Sequence, residues 1–182
     1  MSEFVEFRKI PRFNREVIVT EKIDGTNASI LVGENGEFLA GSRTRWITPQ
    51  ADNFGFSTWA YKNRDALTAM LGVGHHFGEW WGVGIQRGYD ISERRWSLFN
   101  VSRWSQGCGD QFGLPNVSSV PVLARGFFRD SVVETAMADL ALNGSRASPG
   151  FQKPEGVIVY HVAGNLYFKA TLEKDDEPKS RA

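Results

Sequence analysis

Cysteine is nearly missing from this chain: Cys108 is the only one among 182 residues. No intramolecular disulfide can form and no Cys/His spacing suggests a structural zinc, so a reducing, cytoplasmic compartment is expected. An excess of charge is missing too. Twenty-one Lys and Arg balance 21 Asp and Glu, so no global field draws the chain onto nucleic acid, and any such contact must come from a local groove. Long apolar runs are absent: none approaches the eighteen or so residues of a membrane span. The opening MSEFVEFRKIPRF interrupts its apolar residues with charges, unlike a signal peptide. Secretion and membrane contact are not expected, and no regular repeat is visible.

What is present suits one well-packed domain. Hydrophobic residues make up 41% of the chain, with 13 Phe and 6 Trp, enough for a core without covalent staples. Val17 to Ile23 and Ala28 to Val32 read as strands separated by Asp24-Gly25-Thr26-Asn27. Asn35-Gly36 predicts a two-residue hairpin turn that pairs Ile30–Val32 with Phe38–Ala40. Helices are predicted over Trp59–Leu71, capped by Ser57 or Thr58, and over Asp130–Leu142, stopped at Asn143-Gly144. Further strands are predicted at His76–Trp81, Trp96–Val101, Gly156–His161 and Leu166–Thr171. Strands outnumber helices and are joined by short turns, so the fold class is α+β with mainly antiparallel sheets flanked by helices. Residues 1–172 form the expected domain, and 173–182 (EKDDEPKSRA) a charged, disordered tail.

The chemistry concentrates in a few places. Glu21-Lys22-Ile23-Asp24-Gly25-Thr26-Asn27 ends an apolar strand with a lysine and follows it with a polar turn. A lysine nucleophile must lose its proton, and an unperturbed lysine, at pKa ~10.4, holds it at neutral pH. Burial at a sheet edge, or a nearby cation or metal, favours the free amine. Gly25 allows a sharp turn or close approach to phosphate. Lys-x-Asp-Gly alone is a common pattern, and three later segments give it weight. Phe77-Gly78-Glu79-Trp80-Trp81-Gly82 sets a carboxylate among aromatics, where an unpaired charge is expensive. Lys153-Pro154-Glu155-Gly156 places another at the entry to an apolar strand. Tyr167-Phe168-Lys169-Ala170 puts a lysine inside the last strand.

In this order the segments resemble the covalent nucleotidyltransferases, which comprise ATP-dependent DNA and RNA ligases and mRNA capping enzymes. The motifs are KIDG at 22–25, FGEWWG at 77–82, PEGVIV at 154–159 and FKA at 168–170. Asn27 in KIDGTN, SRTR at 42–45 and GEWWGVGIQRGY at 78–89 make the chain most similar to double-strand-preferring phage and bacterial RNA ligases.

The resemblance implies an ATP-grasp-like nucleotidyltransferase domain that uses ATP and Mg²⁺ or Mn²⁺. Lys22 attacks the α-phosphorus of ATP to form lysyl-AMP. Glu21 and the backbone beside it, with Ile23, meet the adenine, on which Phe99 stacks. Arg43 contacts phosphate or ribose, and Asn27 lies near the phosphates. Glu79 binds the ribose hydroxyls and, with Glu155, forms the metal site. Lys169 neutralises the α-phosphate. The implied partner is nucleic acid with 5′-phosphate and 3′-hydroxyl ends, in the form of nicked duplex RNA.

Two departures stand out. The last family motif often carries two lysines flanking one residue, whereas Tyr167 and Thr171 flank Lys169 here. The sequence also leaves no room for an OB-fold after that motif, so adenylation is better supported than complete sealing. The rival readings are a DNA ligase, an adenylyltransferase without full sealing, and a silent nucleic-acid-binding module. GTP-dependent capping and nicotinamide-dinucleotide use are disfavoured by the missing modules. His75, His76 and His161 lack metal-ligand spacing and read as structural. Arg87, Arg94 and Arg95 are candidates for the nucleic-acid backbone.

Overall fold

The computed structural model describes residues 3–173. Ten strands appear in the order β1 (Glu16–Lys22), β2 (Thr26–Val32), β3 (Phe38–Gly41), β4 (Trp46–Ile47), β5 (Gly74–Gly82), β6 (Arg94–Leu98), β7 (Val117–Ser119), β8 (Val122–Phe127), β9 (Gly156–His161) and β10 (Leu166–Thr171). Helices α1 (Phe56–Lys62) and α2 (Arg64–Leu71) precede β5, and α3 (Asp130–Asn143) joins β8 to β9. Four strands pair as β10-β9-β1-β8 and six as β4-β3-β2-β5-β6-β7. Every pairing is antiparallel except β6 with β7. The α+β class is as predicted.

Strand alternation decides which face each sheet buries. In β1 and β9, Val17, Val19, Val157 and Val159 pack with Ala136 and Leu140 of α3, each such apolar side chain contributing about 1.5–3 kcal/mol. Ile18, Thr20 and Lys22 therefore face the opposite way, toward the second sheet. In that sheet Ala28, Ile30, Val32 and Trp80 join the core beneath α1 and α2. Asn27 and Ser29, paired with Glu79 and Phe77, occupy the alternate face. The two sheets thus present their more polar faces across a cleft.

Several predicted details differ. Val32 pairs with Phe38 and Ile30 with Ala40 as expected, but the turn closes from Gly33 to Gly36 and only Gly36 of the pair Asn35-Gly36 has positive φ, at 76°. That is a three-residue loop with glycine last, not a two-residue turn. The predicted helix through Trp59–Leu71 is two helices. Asn63 separates them, its backbone N–H reaching Trp59 and Ala60 and its side chain donating to the Trp59 carbonyl at 2.8 Å, the local competition typical of Asn. Ser57 and Thr58 are not caps. They lie in the first turn of α1 and their N–H groups donate to the Asp52 carboxylate at 2.8 and 2.9 Å. Of the expected tail, all beyond Glu173 falls outside the described residues. No helix among the described residues is long and apolar enough to cross a membrane.

Candidate active site

Lys22 is the last residue of β1, and its side chain stands on the cleft face. Its Nζ donates to Glu155 Oε2 at 2.5 Å, an ion pair whose side chains are 21% and 14% exposed. The neighbour is a carboxylate, not the cation expected from the sequence. Gly156 pairs with Lys22 in the β1–β9 register and lies tight against β10. Any Cβ there would lie 2.2 Å from the Ala170 carbonyl, at φ 152°.

The turn after Lys22 is pressed against β5. A Cβ on Gly25 would stand 2.4 Å from the Trp80 carbonyl, so only glycine lets this turn approach Glu79. The Gly25 N–H donates to Glu79 Oε1 at 3.1 Å. Burial pushes the Glu79 carboxyl up to about 7; Lys22 and the Gly25 N–H act against this, while Glu155 and Asp24 add to it. Asp24 is braced by Arg87 at 3.0 Å, and its N–H donates to the Tyr89 hydroxyl at 2.8 Å. Arg87 also donates to the Lys153 carbonyl at 3.0 Å, fastening the turn after Lys22 to the segment that carries Glu155.

Beside this charged cluster lies a cavity of about 630 Å³, whose walls include Thr20, Ile158 and Tyr160 from one sheet and Asn27, Phe77 and Phe99 from the other. Thr20 is one step along the face from Lys22, and Asn27 is directly opposite Glu79 in the β2–β5 pairing. Phe99 and Ile158 supply apolar surfaces from opposite walls, suited to a flat heteroaromatic ring. A second, apolar groove of about 480 Å³ lies behind the four-stranded sheet, lined by Phe13, Val133, Leu166 and Phe168. No residue of β1, β2 or β5 lines it, whereas the cleft cavity is walled by Thr20, next to Lys22 on the same face of β1, and by Asn27, the strand partner of Glu79, so the cleft cavity is the better candidate despite its more polar walls.

The remaining expected residues are placed unevenly. Lys169 pairs with Ile158, which pairs with Thr20, so it stands two strands from β1, exposed and bordering the apolar groove as well. Arg43 is exposed in the turn between β3 and β4, outside the cavity. The Glu21 side chain turns away from the cleft. It is 1% exposed, and its carboxylate accepts from Ser145 Oγ at 2.6 Å and from the Arg146 and Ala147 N–H groups at 2.8 and 2.9 Å. Burial raises this carboxyl above the ordinary range against the pull of those bonds. Ile23 likewise points into a core with Trp81, Tyr89 and Phe151. The expected adenine contacts therefore do not come from the side chains of Glu21 and Ile23; alternation along β1 sends residue 21 to the α3 face.

Each histidine has a partner within the fold: His75 meets Ser29, His76 the Gly72 carbonyl and His161 the Phe13 carbonyl. Arg94 is spent on the Phe54 and Val83 carbonyls, and Arg95 on Glu93. Arg87, expected on the nucleic-acid backbone, is committed to Asp24 and the Lys153 carbonyl, and the 145–147 loop that holds Glu21 carries no local signal in the sequence.

The RNA ligase family profile matches residues 15–171. The chain belongs to the RNA ligase family. A search of curated proteins gives no match. Among solved structures, a Naegleria gruberi RNA ligase variant with ATP and Mn is 20% identical, with a TM-score of 0.62 over 91% of this chain and 52% of that one. The Naegleria gruberi ligase with PPi is 19% identical, with a TM-score of 0.60 over 91% and 53%. A further variant, with AMP and Mn, is 19% identical, with a TM-score of 0.60 over 87% and 50%. At such identities the likeness is one of fold: two sheets and three helices arranged as in an RNA ligase nucleotidyltransferase unit. This member of the family spans about half the length of the ligases it matches.

The donor set can be tested against a divalent metal. No three-residue His/Cys/Asp/Glu cluster exists among the described residues. Two carboxylates, Glu79 and Glu155, are close enough for one to raise the other's pKa, and a cation between them would relieve that repulsion. Mg²⁺ and Mn²⁺ take hard oxygen ligands, and Mg²⁺ commonly binds through one or two carboxylates with phosphates and waters completing the shell. The residues fit a metal that arrives with a nucleotide.

Proposed function

We propose that this chain, over residues 1–172, is an ATP-dependent RNA ligase adenylyltransferase whose nucleophile is Lys22. The observation that carries the reading is the Lys22–Glu155 pair at 2.5 Å, at the end of β1 and beside a cavity walled by Phe99 and Ile158. Adenine inserts between those two side chains, and Glu79 accepts from the ribose hydroxyls. Lys22 must shed a proton before attack, and the Glu155 carboxylate is in place to take it. The amine then attacks the α-phosphorus, the bond to the β-phosphate oxygen breaks, and pyrophosphate leaves lysyl-AMP behind. Glu155 and Glu79 would hold a Mg²⁺ or Mn²⁺ ion, which when bound would supply charge neutralisation on the phosphate oxygens. Arg43 and Lys169 join this neutralisation by closing toward the nucleotide, since both are exposed before it binds. Asn27, opposite Glu79, takes the phosphates.

AMP then passes to an RNA 5′-phosphate, and a 3′-hydroxyl attacks that phosphate and expels AMP. Nicked duplex RNA in the cytoplasm is the proposed substrate. Family membership supports RNA, and the Naegleria gruberi ligases solved with ATP, AMP, PPi and Mn support the nucleotide and metal. The test is intact mass after incubation with ATP and Mg²⁺ or Mn²⁺, with GTP as a control. One added AMP that disappears in Lys22→Ala is expected, followed by sealing of nicked RNA in preference to DNA. Absence of any nucleotide adduct, added or already bound, refutes the enzyme and leaves a binding module. An adduct without sealing restricts the chain to adenylation.

A further inference from the structure

The cleft face of the six-stranded sheet carries more than the nucleotide cavity. Along β5 the residues on this face are Glu79, Phe77 and His75, successive outward steps from the charged cluster. The His75 ring packs on Phe77 with centroids 4.1 Å apart, and Trp46 of β4 packs on His75 at 5.3 Å. Register explains how a tryptophan three strands away reaches β5: Trp46 pairs with Gly41, Gly41 with Ser29, and Ser29 with Phe77. Gly41 and Ser29 form a shallow floor over which the indole lies, since a Cβ on Gly41 would stand 2.6 Å from Ser29 Oγ and 3.1 Å from the Trp46 ring. The result is three aromatic rings in continuous contact, with Trp46 48% and Phe77 47% exposed.

Single exposed aromatics are ordinary, but this series is aligned and leads to a defined place. Phe77 and His75 also border the cavity between the sheets. Four residues of strand, about 13 Å, separate Glu79 from His75, and Trp46 widens the surface across β3 and β2 at the level of Phe77, together room for two or three nucleotides. At the outer end the turn Ser42-Arg43-Thr44-Arg45 carries two exposed arginines and no acid, in a protein whose net charge is zero. Flat π-surfaces with flanking arginines are how proteins hold unpaired bases and their phosphates.

We propose that Trp46, His75 and Phe77 form a stacking track for bases frayed from the RNA strand beside the nick, with Arg45 on their phosphates and the strand's reacting end toward Glu79. This rests on the proposed ligase function but is measured separately from it. Gly41 and Ser29, paired under Trp46, keep the track open, and stacking is tolerant of base identity, so the contact holds a frayed end without selecting a sequence.

The experiment is fluorescence anisotropy of a short labelled single-stranded RNA on the full chain, with lysyl-AMP formation followed in parallel by mass. Trp46 lies outside the nucleotide cavity, so Trp46→Ala is expected to keep lysyl-AMP formation while weakening RNA binding roughly ten-fold. Trp46→Phe, which retains a ring, stays within about three-fold of the parent. Arg45→Gln lowers affinity and flattens the salt dependence. A cooperative melt checks each variant, and if Trp46→Ala does not fold, Trp46→Leu carries the same expectation. The track is refuted if Trp46→Ala binds RNA like the parent or if Trp46→Phe loses as much as Trp46→Ala. It is also refuted if the parent binds no RNA and self-associates through Trp46. Failure of the parent to form lysyl-AMP refutes the ligase function while the anisotropy result stands by itself.

Discussion

Replacing Glu79 with glutamine removes one titrating proton while preserving the side chain's shape and the Oε1 acceptor for the Gly25 N–H, 3.1 Å away. The folded-state pKa is about 7, against an ordinary value of 4.5, so the folded protein binds this proton more tightly than the unfolded chain by about 3 kcal/mol. The sign follows from proton counting. Between these two pKa values the folded state carries the extra proton, so raising the pH through the window destabilises the parent; below it both states are protonated and the penalty vanishes. Urea unfolding of the parent and of Glu79→Gln at pH 5 and pH 8 isolates the effect, because other titrating groups largely cancel in the difference. The stability gap is expected to move in favour of the variant by about 2–3 kcal/mol between these pH values. A gap of the same size at both would refute the claim that Glu79 is a desolvated carboxylate, and with it the account of why a cation belongs there.

Glu21→Ala strands the Ser145 hydroxyl and the Arg146 and Ala147 N–H groups and is expected to cost about 2–5 kcal/mol in a urea melt. Gly156→Ala forces a Cβ to within 2.2 Å of the Ala170 carbonyl, so a loss of about 3 kcal/mol or more should accompany slower lysyl-AMP formation, read by melt and by mass. Glu155→Gln keeps the volume beside Lys22 but removes the proton acceptor, and adenylation measured by radiolabelled AMP transfer should fall on the order of a hundred-fold with little change in melting.

Elements with strong local signals were legible from the residues. β9 and β10 occur at their predicted bounds, and Asn35-Gly36 fixed the pairing of β2 with β3 even though the loop is one residue longer than predicted. β8 was invisible because Val122–Phe127 includes Arg125 and Gly126 and has no buried residue, so alternation had nothing to report. The candidate site shows the same division. Motif order located Lys22, Glu79 and Glu155, and the fold brings them together. It could not say that Glu21 faces α3, because that depends on the parity of residues along a strand whose core side was unknown. Nor could it find Arg87 as the brace on Asp24, a contact across 63 positions of sequence.

β1 is an interior strand whose neighbours lie far along the chain: it pairs with β8 on one side and β9 on the other. During synthesis, therefore, Lys22 leaves the ribosome early but has no sheet to belong to until residues beyond His161 have followed. Glu155, its ionic partner, is 133 positions later. Positioning of Lys22, the proposed nucleophile, is a late event governed by long-range closure, which slows folding, and a nascent or C-terminally clipped chain lacking β9 has no Glu155 beside that amine. For the proposed reaction the topology would act as a completion check, withholding reactivity from fragments.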